Sequence, residues 1–263
     1  MSAWKQNEKN IAVVGHRGFC SDYPENTIPS FLAAREHKVD IIEFDINMSS
    51  DGELIVMHDN TLDRTTNGTG YSHDMTFAEL RKLNAACKFQ GANQFESLQI
   101  PTLKEVMDIW MAADYDVIFN VEIKEKTTEC VDKTLAVLRE YDVMDRMVLD
   151  CFDANITRYA HSIDPTLKLQ GFPGWLMKNF SDDVYSMLYG IGIPIKSKGI
   201  MRPDEAILAD MKLAHDHHLD PWLFCADTEE EVYKCIEFGA TTITGNNIIP
   251  VINVLEKTGL RMK

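Results

Sequence analysis

The chain has 263 residues, 45% of them hydrophobic and 25% charged, the balance of a soluble globular protein and not of a fibrous or disordered one. Against 26 Lys and Arg stand 41 Asp and Glu, a formal net charge of −15 that argues against a nucleic-acid-binding surface, because such affinity rests on cations neutralising phosphates. A small anionic substrate stays open, since charge is screened beyond about 8–10 Å and a local basic pocket can still act.

The opening residues are polar, and no apolar run approaches the roughly 18–20 residues of a membrane helix. The sequence therefore predicts a cytoplasmic protein with no export signal and no stable membrane insertion. Cys20, Cys87, Cys130, Cys151, Cys225 and Cys235 are scattered, without a Cys-x-x-Cys pair, and read as reduced thiols.

Short apolar runs rich in β-branched residues alternate with amphipathic stretches. In chain order the runs span 11–14, 41–46, 117–123, 147–151, 167–171, 191–195, 222–225 and 241–244. Helical patterns fill 28–37, 102–113, 129–141, 154–161, 182–189, 203–217 and 228–238, with a last helix from Ile249. Apolar strands separated by helices predict a parallel sheet covered on both faces. Eight such units predict a (β/α)8 TIM barrel, one domain over residues 1–263, with a doubly wound sheet as the second choice. The stretch 51–100 is far longer than the usual βα loop of about 2–6 residues. It holds a strand at 54–57, a Gly/Asn/Thr-rich turn at 65–70 and a helix near 77–83, and reads as an insertion after the second strand over the active-site mouth.

Polar residues collect where the apolar runs end. Gly15-His16-Arg17-Gly18 closes the first run, Glu43 and Asp45 lie two apart in the second, Glu122 and Lys124 end the third, and His58 follows the insertion strand. Side chains two apart on a strand share a face, so Glu43 and Asp45 point together into the barrel. Three like charges in one dry mouth need a cation, and an all-oxygen set suits Mg²⁺ or Ca²⁺. His16 and His58 beside one divalent ion can act as acid and base, while Arg17 and Lys124 hold an anionic group. That combination suits phosphoryl chemistry. A lone Glu-x-Asp is more often an ion pair, and a lone Gly-His-Arg-Gly a turn; the joint pattern carries the argument. His215, His217 and His218 read as solvated surface, the 13 methionines as core filler, and Gly190-x-Gly192 as too short for a dinucleotide loop.

These motifs resemble the glycerophosphodiester phosphodiesterase family. The matching text is Gly15-His-Arg-Gly18, Pro24-Glu-Asn-Thr27, Ile42-Glu-Phe-Asp45, Ser50 to Asp59, Asp63-Arg-Thr-Thr-Asn-Gly68, Ile100-Pro-Thr-Leu103 and Val121-Glu-Ile-Lys124. It covers roughly the first half of the chain; the second half matches more weakly, with Cys151-Phe-Asp153 where Ser-Phe-Asp is usual. The resemblance implies a (β/α)8 barrel and hydrolysis of a small glycerophosphodiester to glycerol 3-phosphate and an alcohol through a cyclic phosphate. It implies Glu43, Asp45 and Glu122 as ligands of one divalent cation, Arg17 and Lys124 as phosphate contacts, and His58 as base with His16 as acid. The Glu25-Asn26 pair would pin the loop after the first strand, with Asn26 a candidate helix cap. Phe224-Cys-Ala-Asp227 stands where the family has Trp-Thr-Val-Asn, and Thr244-Gly245-Asn246 where it has Thr-Asp. Phe224 would keep an apolar wall for the glycerol moiety, with a smaller face. The alternatives are a phospholipase-type enzyme on intact lipids and a catalytically silent binding barrel.

Overall fold

The computed structural model describes residues 4–90, 95 and 97–262. Residues 91–94 and 96 of the expected insertion, and both extreme ends of the expected domain, lie outside the described residues. In chain order the elements are β1 (Ala12–Gly15), α1 (Ile28–Glu36), β2 (Ile41–Met48), β3 (Leu54–Val56), α2 (Phe77–Leu80), α3 (Leu103–Met111), β4 (Ile118–Ile123), α4 (Thr128–Glu140) and β5 (Met147–Asp150). They continue with α5 (Ala154–Ile163), β6 (Leu169–Gly171), β7 (Gly190–Pro194), β8 (Lys196–Ser197), β9 (Ile200–Met201), α6 (Asp204–Asp216), β10 (Asp220–Phe224), α7 (Glu229–Glu237), β11 (Thr242–Gly245) and α8 (Ile248–Thr258).

Eight strands close a parallel barrel in the order β1-β2-β4-β5-β6-β7-β10-β11, and β11 pairs back onto β1. The runs read as strands are buried on both faces, which is why they are continuously apolar and not alternating. Among the described residues no helix is long and apolar enough to cross a membrane.

The barrel interior has two storeys. Ala12, Val14, Ile41, Ile118, Val148 and Trp222 pack together as an apolar lower storey. Two residues further along the same strands, on the same inward face, stand Glu43, Asn120, Asp150 and Phe224, and beyond them Asp45 and Glu122. Strand register therefore delivers the ionisable groups to the C-terminal mouth. β2 outruns its barrel partners, and β3 pairs antiparallel with its last residues, Ile46 to Met48, so the segment after β2 is tied to the strand that carries two carboxylates.

Three elements depart from the sequence expectation. The segment 182–189 is a 3₁₀ helix over Asp182–Met187, because Leu188 is already extended on its way into β7. The hairpin β8–β9 was not anticipated; Lys198 and Gly199 both have positive φ, the requirement of a primed two-residue turn. Asn26 does not cap α1. Thr27 is the residue before the helix, and Asn26 itself sits at φ 55° with its side chain turned inward.

Asp40 leads into β2 and its Oδ2 accepts a hydrogen bond from the Val13 N–H at 2.9 Å, joining β1 to β2. Burial pushes its carboxyl up to about 6. The folded state thus holds this proton more tightly than the unfolded chain, so the group favours folding below about pH 4 and that advantage is lost as pH rises through about 6. Asp40→Asn keeps the acceptor and removes the charge. It is expected to stabilise the protein by about 1–2 kcal/mol at pH 7 and by nothing near pH 4, as read by thermal melting.

Candidate active site

One cavity of about 200 Å³ opens at the C-terminal end of the barrel, lined by His16, Arg17, Glu43, His58, Glu122, Lys124 and Phe224 among others. The ligand oxygens of Glu43, Asp45 and Glu122 lie within 4.8 Å of one another, and all three residues are buried. Burial first, and then the Asp45 charge, pushes the Glu43 carboxyl well up; Glu122 is raised by burial as well. Burial also works against ionisation of Asp45, but Lys124 and Arg17 overcome it and hold that carboxyl below its usual range. Lys124 Nζ stands 3.3 Å from Asp45 Oδ1 and is paired with Glu122, and Arg17 Nε is 3.3 Å from Asp45 Oδ2. Two cations thus face three carboxylates, and Asp45 Oδ1 accepts no hydrogen bond although it is buried. Hard oxygen donors and a deficit of positive charge fit a hard divalent cation, which takes carboxylate ligands.

The loop after β1 is built around these charges. Arg17, at φ 53°, turns its backbone N–H onto Glu43 Oε2 at 2.8 Å while its guanidinium reaches Glu25 at 2.9 Å. Asn26 Nδ2 donates to Asp45 Oδ2 at 2.7 Å. The Glu25-Asn26 pair does pin the loop, Glu25 through Arg17 and Asn26 through the carboxylate trio.

The two histidines have different partners. His16 Nδ1 lies 2.7 Å from Asn246 Oδ1. Asn246 is oriented by Asp227, which accepts from its Nδ2 at 3.0 Å and from its backbone N–H at 2.8 Å. The amide therefore presents oxygen to the ring, so Nδ1 carries the hydrogen and Nε2, 3.9 Å from Glu43, keeps its lone pair. Burial, then the Arg17 charge, lowers His16 to about 4. His58 Nδ1 instead donates to the Asp59 carboxylate at 2.5 Å. Its pKa is also lowered, by burial first, although Asp45 and Asp59 oppose the shift.

The apolar wall holds more than Phe224. Phe152 and Phe172 stack with ring centroids 3.6 Å apart, Phe224 meets Phe172 edge-on at 6.0 Å, and Lys124 Nζ lies 5.5 Å from the Phe152 centroid. A Cβ on Gly192 would come within 2.7 Å of both Phe172 and Gln170, so this glycine of β7 makes room for the cavity lining. Asn120, Asp150 and Gln170 also line the cavity without having been singled out in the sequence, and so do Cys225 and Thr244, which the sequence offered only as departures from the family pattern. The signal for Asn120 was its place two residues before Glu122; Phe172 and Gln170 gave none. His215, His217 and His218 stay exposed at the end of α6, and all six cysteines are free.

A closed (β/α)8 barrel with a carboxylate trio, two cations and two histidines around one mouth has the equipment of a phosphodiester hydrolase. The chain belongs to the glycerophosphoryl diester phosphodiesterase family, whose model matches residues 16–248. A glycerophosphodiester phosphodiesterase of Caldanaerobacter subterraneus subsp. tengcongensis is 38% identical over 160 residues, 60% of this chain and 64% of the relative. One from Bacillus subtilis is 29% identical over 90% of this chain and 83% of its own length. Among solved structures, an Oleispira antarctica phosphodiesterase in complex with the product sn-glycerol-3-phosphate superposes with a TM-score of 0.79 at 20% identity, covering 97% of this chain and 100% of that one. The last likeness is one of fold.

Proposed function

We propose that this chain hydrolyses glycerophosphodiesters to glycerol 3-phosphate and an alcohol, with one divalent cation, Mg²⁺ or Ca²⁺, on Glu43, Asp45 and Glu122. The observation that carries the reading is the meeting of both histidines, both cations and two of those carboxylates on a single cavity with an aromatic wall. The part of the segment after β3 that carries His58 borders the mouth, the chain acts as a single domain, and six free thiols accord with a cytoplasmic location.

Glu43, Asp45 and Glu122 would hold the cation, which when bound would supply polarisation of the phosphoryl oxygens. Arg17 and Lys124 hold the same phosphate, Arg17 as a planar fork and Lys124 as a point charge. Phe224, with Phe152 and Phe172, takes the apolar edge of the glycerol. The partners of the two rings favour the order opposite to the one expected from the sequence. His16, neutral and bonded to an amide, keeps a bare Nε2 and takes the proton of the glycerol hydroxyl next to the phosphoester. His58, whose Nδ1–H is held by the Asp59 carboxylate, gives a proton to the leaving alcohol, with Asp45 and Asp59 opposing the loss of its charge that burial favours. The hydroxyl oxygen bonds to phosphorus as the ester bond breaks. Water then opens the cyclic phosphate, with His58 taking its proton and His16 returning one to the glycerol oxygen.

The test is a panel of glycerophosphodiesters with and without each metal, together with an analogue whose neighbouring hydroxyl is replaced by hydrogen. Intramolecular attack can gain up to about 7–11 kcal/mol over a free reactant, so the deoxy analogue should bind competitively and turn over very slowly. Rapid hydrolysis of the analogue means that water attacks directly. Turnover of intact phospholipids alone favours the phospholipase reading, and binding without any turnover the silent barrel.

A further inference from the structure

Arg64 lies in the segment between β3 and α2, outside the cavity, and its side chain is 46% exposed. All three of its donor nitrogens are spent on two carboxylates. Nη1 and Nη2 grip Glu25 at 2.7 Å each, and Nε donates to Asp59 Oδ2 at 2.5 Å. Each carboxylate in turn holds one residue of the site: Glu25 accepts from Arg17 at 2.9 Å, and Asp59 from His58 at 2.5 Å. The result is a chain, Arg17–Glu25–Arg64–Asp59–His58, that runs from the β1–α1 loop to the segment after β3. Exposed ion pairs contribute only about 0–1 kcal/mol, so stability gives little reason for so complete a fork. Lysine, with one nitrogen, has no equivalent of it.

We propose that Arg64 is a positioning residue, which sets Arg17 for phosphate binding through Glu25 and His58 for proton transfer through Asp59. The proposal rests on the reaction assigned above. It predicts two separable arms. Glu25→Gln should act mainly on KM and on the affinity for glycerol 3-phosphate. Asp59→Asn should act mainly on kcat. Arg64→Met should move both, with kcat/KM down about 10- to 100-fold, the scale of a misplacement of order 1 Å.

The experiment measures kcat and KM of these variants and of Arg64→Lys, glycerol 3-phosphate binding by calorimetry, and thermal melting of each protein. The Arg64→Met/Asp59→Asn double variant is expected to lose no more kcat than the worse single variant. At a pH high enough to leave the ring neutral, long-range ¹⁵N–¹H correlation of His58 should show the Nδ1–H tautomer in wild type and a mixture in Arg64→Met, without any turnover. Should Arg64→Met fail to fold, Arg64→Lys is read in its place, with folding kept and a smaller loss on both parameters. Unchanged kcat and KM in a folded Arg64 variant, or losses that multiply in the double variant, overturn the proposal. A wild-type protein that releases no glycerol 3-phosphate overturns the assigned reaction instead, and the His58 tautomer then decides the Arg64–Asp59 arm on its own.

Discussion

Replacing His16 or His58 with alanine is expected to lower kcat by about 10²- to 10⁴-fold, the usual contribution of a positioned acid or base. Neither ring is part of the apolar core, and both side chains are partly exposed to the cavity, at 19% and 29%, so the fold should survive. The double variant should be little worse than either single one, because both groups serve one proton-transfer sequence. The order of roles is tested by the leaving group. A diester with an acidic leaving alcohol, such as a nitrophenol, needs little protonation as it departs. The His58→Ala variant should recover much of its rate on that substrate, and the His16→Ala variant should not. The reverse pattern would restore the assignment expected from the sequence, with His58 as base. Near-normal turnover by either variant on the ordinary substrate removes that residue from the chemistry.

Removal of the divalent cation should have a comparable effect. With an excess of chelator the three buried carboxylates face only Arg17 and Lys124, and turnover is expected to fall to background. Added Mg²⁺ or Ca²⁺ should restore it, and calorimetry should show one ion bound per chain. Glu43→Gln should weaken metal affinity and activity together. Glu43 also accepts the Arg17 N–H, and glutamine can keep that bond through its carbonyl oxygen, so the loop after β1 should stay in place. Full activity in chelator would sink the carboxylate assignment.

Much of this architecture was legible in the residues. Strands such as 118–123 are buried on both faces, so their apolar runs stand out from amphipathic helices. Glu43 and Asp45 could be placed on one inward face because a strand repeats every two residues. What could not be read was whatever depends on partners distant in the chain. The tautomer of His16 is set by Asn246, 230 positions away, and Asn246 by Asp227. Asn26 looked like a cap because asparagine is a good one, but its left-handed backbone turns the amide onto Asp45. The wall of Phe152 and Phe172 comes from two different strand ends; Phe152 lies in the Cys151-Phe-Asp153 match, but the end of β6 that carries Phe172 has no motif, and nothing local pairs the two rings. The β8–β9 hairpin did leave a trace, a glycine after Lys198, in a stretch too short to register as strands.

The two storeys of the barrel interior divide the labour of the fold. Below, Val14, Ile41, Ile118 and Val148 are constrained by volume and shape, and Trp222 by its fit and by the hydrogen bond from its Nε1 to Asp220. Above, Glu43, Asp45, Glu122 and Asp150 are constrained by charge, and their burial draws on the folding free energy the rest of the molecule supplies. Because the same strands carry both sets two residues apart, the lower storey can drift among aliphatic side chains without moving a catalytic atom. The loops above can likewise be rewritten without reopening the barrel. Substrate preference in such a fold can therefore change through the loops and the rim, Phe224 among them, around a reaction centre that stays put.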